Sequence, residues 1–158
     1  MNSSEKLARM TNSIRPFLSR PPVLWLFFAG VLAVNRISLS PAVGAVWGEL
    51  AGNGVFILVR MLSYFLLALL LARVAGFTRF RAISAVALLV AVEHLGFNLV
   101  SLFSSYRSNP ADYPEGLAGP LFGLFMSYMI ALPVVLLVAL VGHLLGVQAR
   151  GSRGSGEA

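Results

Sequence analysis

The sequence predicts an all-α integral membrane protein with four transmembrane helices in one bundle, a short outer re-entrant or interfacial helix, and both termini in the cytoplasm. The 158-residue chain is 58% hydrophobic and only 11% charged, and its mean hydropathy is +0.82. A soluble domain carries about 25% charged residues, so this chain has too few charges to cover a surface in water. Its apolar residues also fall into long runs, which short arginine-containing segments separate.

The basic residues are distributed as membrane topology requires. With the N-terminus in the cytoplasm, nine of the twelve lysines and arginines fall on the cytoplasmic side, and Arg36, Arg60 and Arg107 fall on the outer side. This positive-inside bias predicts that both termini are cytoplasmic. A nucleic-acid surface needs clustered bases, so we expect the lipid bilayer, and not nucleic acid, as a partner. Eleven arginines against one lysine favour a GC-rich bacterial genome, and hence the inner (plasma) membrane.

Residues 1–20 form a basic N-terminal segment whose apolar residues recur at helical spacing. Leu7, Met10, Ile14 and Phe17 would lie on one side of a helix. Such a segment is either an interfacial amphipathic helix on an anionic membrane surface or a frayed basic tail. The sequence favours neither of the two.

The first span is predicted at about residues 21–40, because Pro21 and Pro22 suit a first helical turn. Ser40-Pro41 predicts the start of a new helix, and Gly52-Asn53-Gly54 predicts its end. A piece of about 11 residues extends only about 16 Å, which is too short to cross a bilayer. Segment 41–53 is therefore expected to be re-entrant or interfacial.

Three further spans are predicted at about 54–76, 82–104 and 118–147. A short basic loop follows the second span and a polar loop containing Asn109-Pro110 follows the third. Residues 21–148 would then form a single transmembrane domain, and residues 149–158 a flexible tail rich in glycine, serine and arginine.

Polar residues inside these spans are the candidates for a functional site, because ionisable groups are costly in a bilayer. At about 1.5 Å per residue from the cytoplasmic end, Glu93 lies at a depth of about 17 Å, and Arg36 and Arg60 at about 22 Å. We therefore expect an intramembrane Arg–Glu pair. The predicted polar cluster consists of Arg36, Arg60, Tyr64, Glu93, His94, Asn98 and Ser101.

The third span also has small and polar residues at alternating three- and four-residue spacing. Ser84, Ala87, Ala91, His94, Asn98, Ser101 and Ser105 would form one seam that faces other helices. A closed contact between Glu93 and an arginine would favour a structural role for the cluster, whereas a water-filled pocket open to one side would favour a site.

Small residues at four-residue spacing predict close helix packing elsewhere in the chain. Glycines with this spacing occur in segment 41–53, and small residues recur along the fourth span. The predicted helix-packing residues are Gly44, Gly48, Gly52, Gly123, Ser127, Ala131, Gly142 and Gly146.

Three short motifs resemble those of rhomboid intramembrane proteases. His94-Leu-Gly-Phe-Asn98 resembles the HxxxN motif of their second helix, and residues 116–124 resemble the start of the helix that carries the nucleophile. Gly142-His143-Leu-Leu-Gly146 is similar to the helix that supplies the catalytic histidine. Ala118 stands at the position of the nucleophilic serine, so the resemblance implies a degenerate rhomboid-like protein without serine protease activity.

No cofactor or metal is expected. The chain has no cysteine, and its two histidines, His94 and His143, differ in depth by roughly 10 Å, which is unsuitable for a shared haem. The glycine seams and the absence of a catalytic set favour an accessory or assembly subunit, with a larger membrane complex or a second copy as partner. The alternatives are a small oligomeric transporter or channel with a site at Arg60, Glu93 and Asn98, and an intramembrane hydrolase.

Overall fold

The computed structural model describes residues 20–114 and 116–154, and in these residues it is almost entirely helical. The four main helices are α1 (Pro21–Trp47), α2 (Glu49–Arg73), α3 (Arg79–Ser108) and α4 (Ala118–Gly154), and a short 3-10 helix spans Pro110–Asp112. Each main helix is long and apolar enough to cross a membrane. This confirms the prediction of an all-helical chain with four such helices.

The four helices alternate in direction, as residue contacts along their lengths show. Trp25 Nε1 donates to the Ala85 carbonyl oxygen at 3.2 Å and Arg36 donates to Asn98, so α1 and α3 run parallel. Gly142 packs on Phe65 and Gly146 on Leu69, so α2 and α4 also run parallel. The backbones of α2 and α3 approach each other and both remaining helices, whereas within the described residues the backbones of α1 and α4 do not approach each other.

The predicted re-entrant helix at 41–53 is wrong, because α1 continues through Ser40-Pro41. A π-helical segment, Asn35–Leu39, ends just before Ser40-Pro41, and the Ser40 N–H donates to the Asn35 carbonyl five residues back. The wider turn accommodates a proline that lacks an N–H and crowds the preceding turn. The chain instead reverses at Gly48, whose φ of +91° suits glycine, and Gly52-Asn53-Gly54 lies inside α2.

The turn at Gly48 is narrow because two predicted packing glycines meet beside it. A Cβ on Gly52 would lie 2.8 Å from the Ser40 carbonyl oxygen and 3.0 Å from Gly44 Cα. The Ser40 hydroxyl also donates to the Gly52 carbonyl at 2.8 Å. The glycine spacing therefore joins α1 to α2 in a helical hairpin.

Other boundaries differ from the predictions at the helix ends. Helix α3 extends to Ser108, and α4 extends to Gly154, through residues 149–154 that were expected to be a flexible tail. The predicted amphipathic segment 1–20 lies outside the described residues except for Arg20, as do Glu115 and residues 155–158 of the predicted tail.

We call the two ends of the bundle the Gly48 end, which includes the segment between α3 and α4, and the Gly76 end, where α2 turns into α3. The apolar core lies mainly toward the Gly76 end. Its fully buried members are Leu24, Leu32, Tyr64, Leu67, Ala68, Leu71, Ala82, Val86, Leu89, Val90, Val135 and Ala139. In the first half of α3 the core residues are Ala82, Val86, Leu89 and Val90. The predicted seam is wrong at its first position, because Ser84 is exposed.

A candidate intramembrane site between two π-helical segments

Two π-helical segments contain most of the polar groups of the candidate site. The first, Asn35–Leu39, includes Arg36, and the second, Val92–Gly96, includes Glu93 and His94. A π-helical turn places one extra residue in the helix and is common at functional sites. Asn35 is buried and donates from Nδ2 to the Phe56 carbonyl at 3.2 Å, which ties the first segment to α2.

Glu93 and Arg60 form a closed ion pair between α3 and α2. Arg60 Nη2 lies 2.8 Å from Glu93 Oε2, and the two side chains are only 11% and 3% exposed. The Tyr64 hydroxyl donates to the same Glu93 oxygen at 3.1 Å and receives a 3.4 Å hydrogen bond from Arg60 Nε. The structure therefore brings these three predicted residues together in a buried contact.

Arg36 approaches the same carboxylate more loosely, from α1. Its Nη1 lies 3.6 Å from Glu93 Oε1, and its Nη2 donates to Asn98 Oδ1. The guanidinium lies 5.9 Å from the Phe56 ring centroid and 5.5 Å from that of Phe97. With 27% of the side chain exposed, Arg36 forms the edge of the cluster.

The cluster contains more positive than negative groups. Two guanidiniums, which stay protonated in proteins, face one carboxyl group, and within the described residues Glu93 is the only acid within ion-pair distance of an arginine. Buried charge that lacks a counterion is costly. The more exposed Arg36 is therefore the part of the cluster best placed to contact an additional polar or anionic group.

His94 and Asn98 connect the cluster to α4. Asn98 Nδ2 donates to the His94 carbonyl at 2.6 Å. His94 Nε2 lies 2.9 Å from Ser127 Oγ, and that hydroxyl also reaches the Leu124 carbonyl at 2.8 Å. The site thus extends from buried Glu93 to an exposed serine on the fourth helix.

Ser127 lies in a groove between the ends of α3 and α4 at the Gly48 end, which we call the α3–α4 groove. Within the described chain, residues 97–108 approach α4 but neither α1 nor α2 with their backbone, so the helices diverge here. The groove has a volume of about 430 Å³. Its lining residues are Asn98, Ser101, Leu102, Ser105, Tyr113, Pro120, Gly123, Leu124 and Ser127. The predicted Ser101 belongs to this groove and has no contact with the Arg–Glu pair among those described.

The predicted packing glycines of α4 divide into two groups. A Cβ on Gly146 would lie 2.6 Å from the Leu69 carbonyl oxygen, and one on Gly142 would collide with the Phe65 carbonyl, so both pack closely on α2. A Cβ on Gly123 would meet nothing within 4 Å. Ala131 is half-buried between the two groups. Gly142 and Gly146, in the half of α4 near the Gly76 end, therefore pack on α2, whereas Gly123 faces open space.

The sequence did not predict the π-helical segments or the contact between His94 and Ser127. Ser127 was assigned to helix packing, and His94 to the Arg–Glu cluster. The HxxxN spacing of His94 and Asn98 places them on adjacent turns of one face, which was the available indication that they act together. The arrangement as a whole can bind an anionic or polar group at Arg36, and it places a hydroxyl beside an imidazole.

No protein-family model matches the sequence, and the searches of curated proteins and of solved structures find no match. The resemblance to rhomboid proteases is not supported by the fold. That resemblance assigns residues 116–124 and His143 to different helices, whereas Ala118 and His143 both lie on α4. The site therefore has to be interpreted from its own geometry.

Proposed function

We propose that the protein is an accessory subunit that binds a transmembrane helix of a different membrane protein in the α3–α4 groove. The supporting observation is that polar side chains line an open groove at a depth where lipid chains would otherwise contact them. Asn98 lies ten residues before the end of α3 at Ser108, which is about 15 Å of helix. Hydrocarbon cannot satisfy the exposed hydroxyls of Ser101 and Ser105, which line the groove with it.

The shape of the groove suits a helix. Gly123 and Ser127 are exposed on one face of α4, and Gly123 has open space where a side chain would be. Small residues allow two transmembrane helices to approach closely and exchange polar contacts across the interface. Glycines 142 and 146 already serve this purpose inside the chain, whereas Gly123 has no such neighbour.

Charge favours a different protein over a second copy as the partner. An acidic or amide group at the same depth would stabilise the surplus positive charge at Arg36. A second copy has the same two arginines and the same single carboxyl group at this level. A partner helix with an aspartate, glutamate, asparagine or glutamine in its apolar run would supply the missing group.

The alternative of a transporter has less support. A path through one bundle would have to pass from Arg36 and Glu93 to the Gly76 end. Leu67, Leu71, Val86 and Leu89 fill that half and are fully buried. Solute movement would require this packed core to open, whereas helix binding requires no rearrangement of the described residues.

The test is co-purification in mild detergent combined with a matched pair of glycine variants. Gly123→Phe fills the groove, and Gly30→Phe adds the same side chain to α1, where a Cβ also meets nothing within 4 Å. We expect a partner at fixed stoichiometry with the wild type and with Gly30→Phe, and its loss with Gly123→Phe. Purification of the wild type alone, or equal recovery of the partner with both variants, would contradict the proposal.

A further inference from the structure

We propose that Ser127 and His94 form a nucleophile–base pair that cleaves carboxylic esters of lipid-like amphiphiles in the α3–α4 groove. This activity goes beyond the binding role proposed above, and it belongs to the chain when no partner helix occupies the groove. A serine nucleophile needs a base within hydrogen-bond reach, about 2.6–3.2 Å. Ser127 Oγ and His94 Nε2 are 2.9 Å apart. The two residues come from different helices and meet at the wall of an open groove.

Ser127 does not need His94 to satisfy its hydroxyl. A serine within a helix commonly bonds to a carbonyl one turn back, and Ser127 Oγ lies 2.8 Å from the Leu124 carbonyl. In the tautomer that carries its proton on Nδ1, the imidazole therefore offers this hydroxyl a second acceptor. Rotation about the Cβ–Oγ bond directs the proton to Nε2, and this is the arrangement in which the oxygen becomes nucleophilic.

The groove gives an amphiphile access to the pair. Gly123 lies one turn before Ser127 on the same face of α4 and leaves the approach open. Leu102 and Leu124 provide apolar contact for an acyl chain, and Ser101 and Asn98 provide polar contact for the ester group. Because the groove opens where α3 and α4 diverge, a molecule in the bilayer can enter it from the side.

A positively charged group lies next to the wall of the groove. Asn98 lines the groove and accepts a hydrogen bond from Arg36. Two arginines against one carboxyl group give the cluster a positive field, and preorganised positive groups stabilise the charge that develops on a carbonyl oxygen during acyl transfer. Arg36 and Asn98 act here as positioning residues for that field.

The reaction balances with water as the second substrate. Ser127 Oγ bonds to the ester carbon while its proton passes to His94 Nε2, and the carbonyl electron pair moves onto oxygen. Collapse of this intermediate breaks the bond to the alcohol, which takes the proton from His94. Water then attacks the acyl-serine and gives one proton to His94. That proton returns to Ser127 Oγ as the carboxylic acid leaves.

The test uses the full chain in mild detergent and an alkyl fluorophosphonate, which forms a covalent adduct with an activated serine and releases fluoride. We expect an adduct on the peptide that contains Ser127 and slow cleavage of a p-nitrophenyl ester. Ser127→Ala should abolish both. His94→Gln should slow both by roughly 10²- to 10⁴-fold, the usual contribution of a general base.

Ser104→Ala is the matched control, because Ser104 is exposed on the same helix as His94, lies outside the lining of the groove and has no base among its described contacts. It should react at the wild-type rate. Absence of an adduct on wild-type protein that has a normal helical circular dichroism spectrum would overturn the proposal, as would equal labelling of Ser127 and Ser104. Labelling needs no partner protein, so its failure is distinguishable from failure of co-purification.

Discussion

Glu93 holds three helices together through a single carboxylate. Arg60 and Tyr64 bind it from α2, and Arg36 approaches it from α1. A buried ion pair of this kind is weak evidence for a function, because it often only fixes the arrangement of the elements that it joins. The closed contact with Arg60 agrees with such a structural role, and Arg36 is the more exposed edge of the cluster.

Replacement of Glu93 by Gln should destabilise the protein strongly. It leaves Arg60, which is 11% exposed, without a counterion, and breaking a buried pair on one side costs roughly 3–5 kcal/mol. Glu49→Gln is the control, because Glu49 is exposed at the Gly48 end. Denaturant unfolding in detergent, followed by circular dichroism, measures both. Equal midpoints for the two variants would show that the pair contributes little.

Counting residues from the helix ends predicted the Arg–Glu pair but could not predict the contact of His94 with Ser127. Depth depends on residue number alone, so Arg36, Arg60 and Glu93 could be placed at similar levels from sequence. The direction in which His94 points depends on the rotation of α3. The π-helical segment Val92–Gly96 changes that rotation at the position of His94, and no residue pattern in the segment indicated it.

At the scale of the helices, the sequence predicted the course of α4 correctly and that of α1 incorrectly. Ser40-Pro41 is a normal start for a helix, yet α1 passes through it because Asn35–Leu39 widens into a π-helical turn. The apolar run of α4 contains Pro133, yet it forms one helix, as its continuous hydropathy predicted. Local residue preferences therefore identified the helical segments, but they placed a helix boundary at Ser40-Pro41 where none exists, because the π-helical turn before it lets the helix continue.

Gly146→Leu should disrupt the contact between α4 and α2. A Cβ at this position would already lie 2.6 Å from the Leu69 carbonyl oxygen and 2.9 Å from Ala72 Cβ, so the backbones must separate. Overpacking of this kind costs about 1–3 kcal/mol. The measurement is again the unfolding midpoint in detergent.

The matched control for Gly146→Leu is Gly123→Leu on the same helix, where the added Cβ meets nothing within 4 Å. This variant should unfold at the wild-type midpoint. If both glycines tolerate leucine equally, the close packing of α4 on α2 near Leu69 is not required for stability.

The molecule as a whole has one closed half and one open half. Toward the Gly76 end the apolar core fills the bundle, and toward the Gly48 end α3 and α4 diverge around polar side chains. The proposed functions all belong to the open half. Their location on the outer side of a membrane depends on the orientation of the bundle, which the distribution of arginines predicts.

Introduced cysteines can test this orientation, because the chain has none of its own. Asn109 is exposed at the Gly48 end and Thr78 at the Gly76 end, and neither side chain has a hydrogen bond among those described. Nine of twelve basic residues were assigned to the side of Thr78, so the positive-inside rule places that end in the cytoplasm. A membrane-impermeant maleimide should therefore label Asn109→Cys in intact cells and Thr78→Cys only after permeabilisation. The reverse pattern would put the α3–α4 groove on the cytoplasmic side, where any partner helix or amphiphile would have to approach from the inner leaflet.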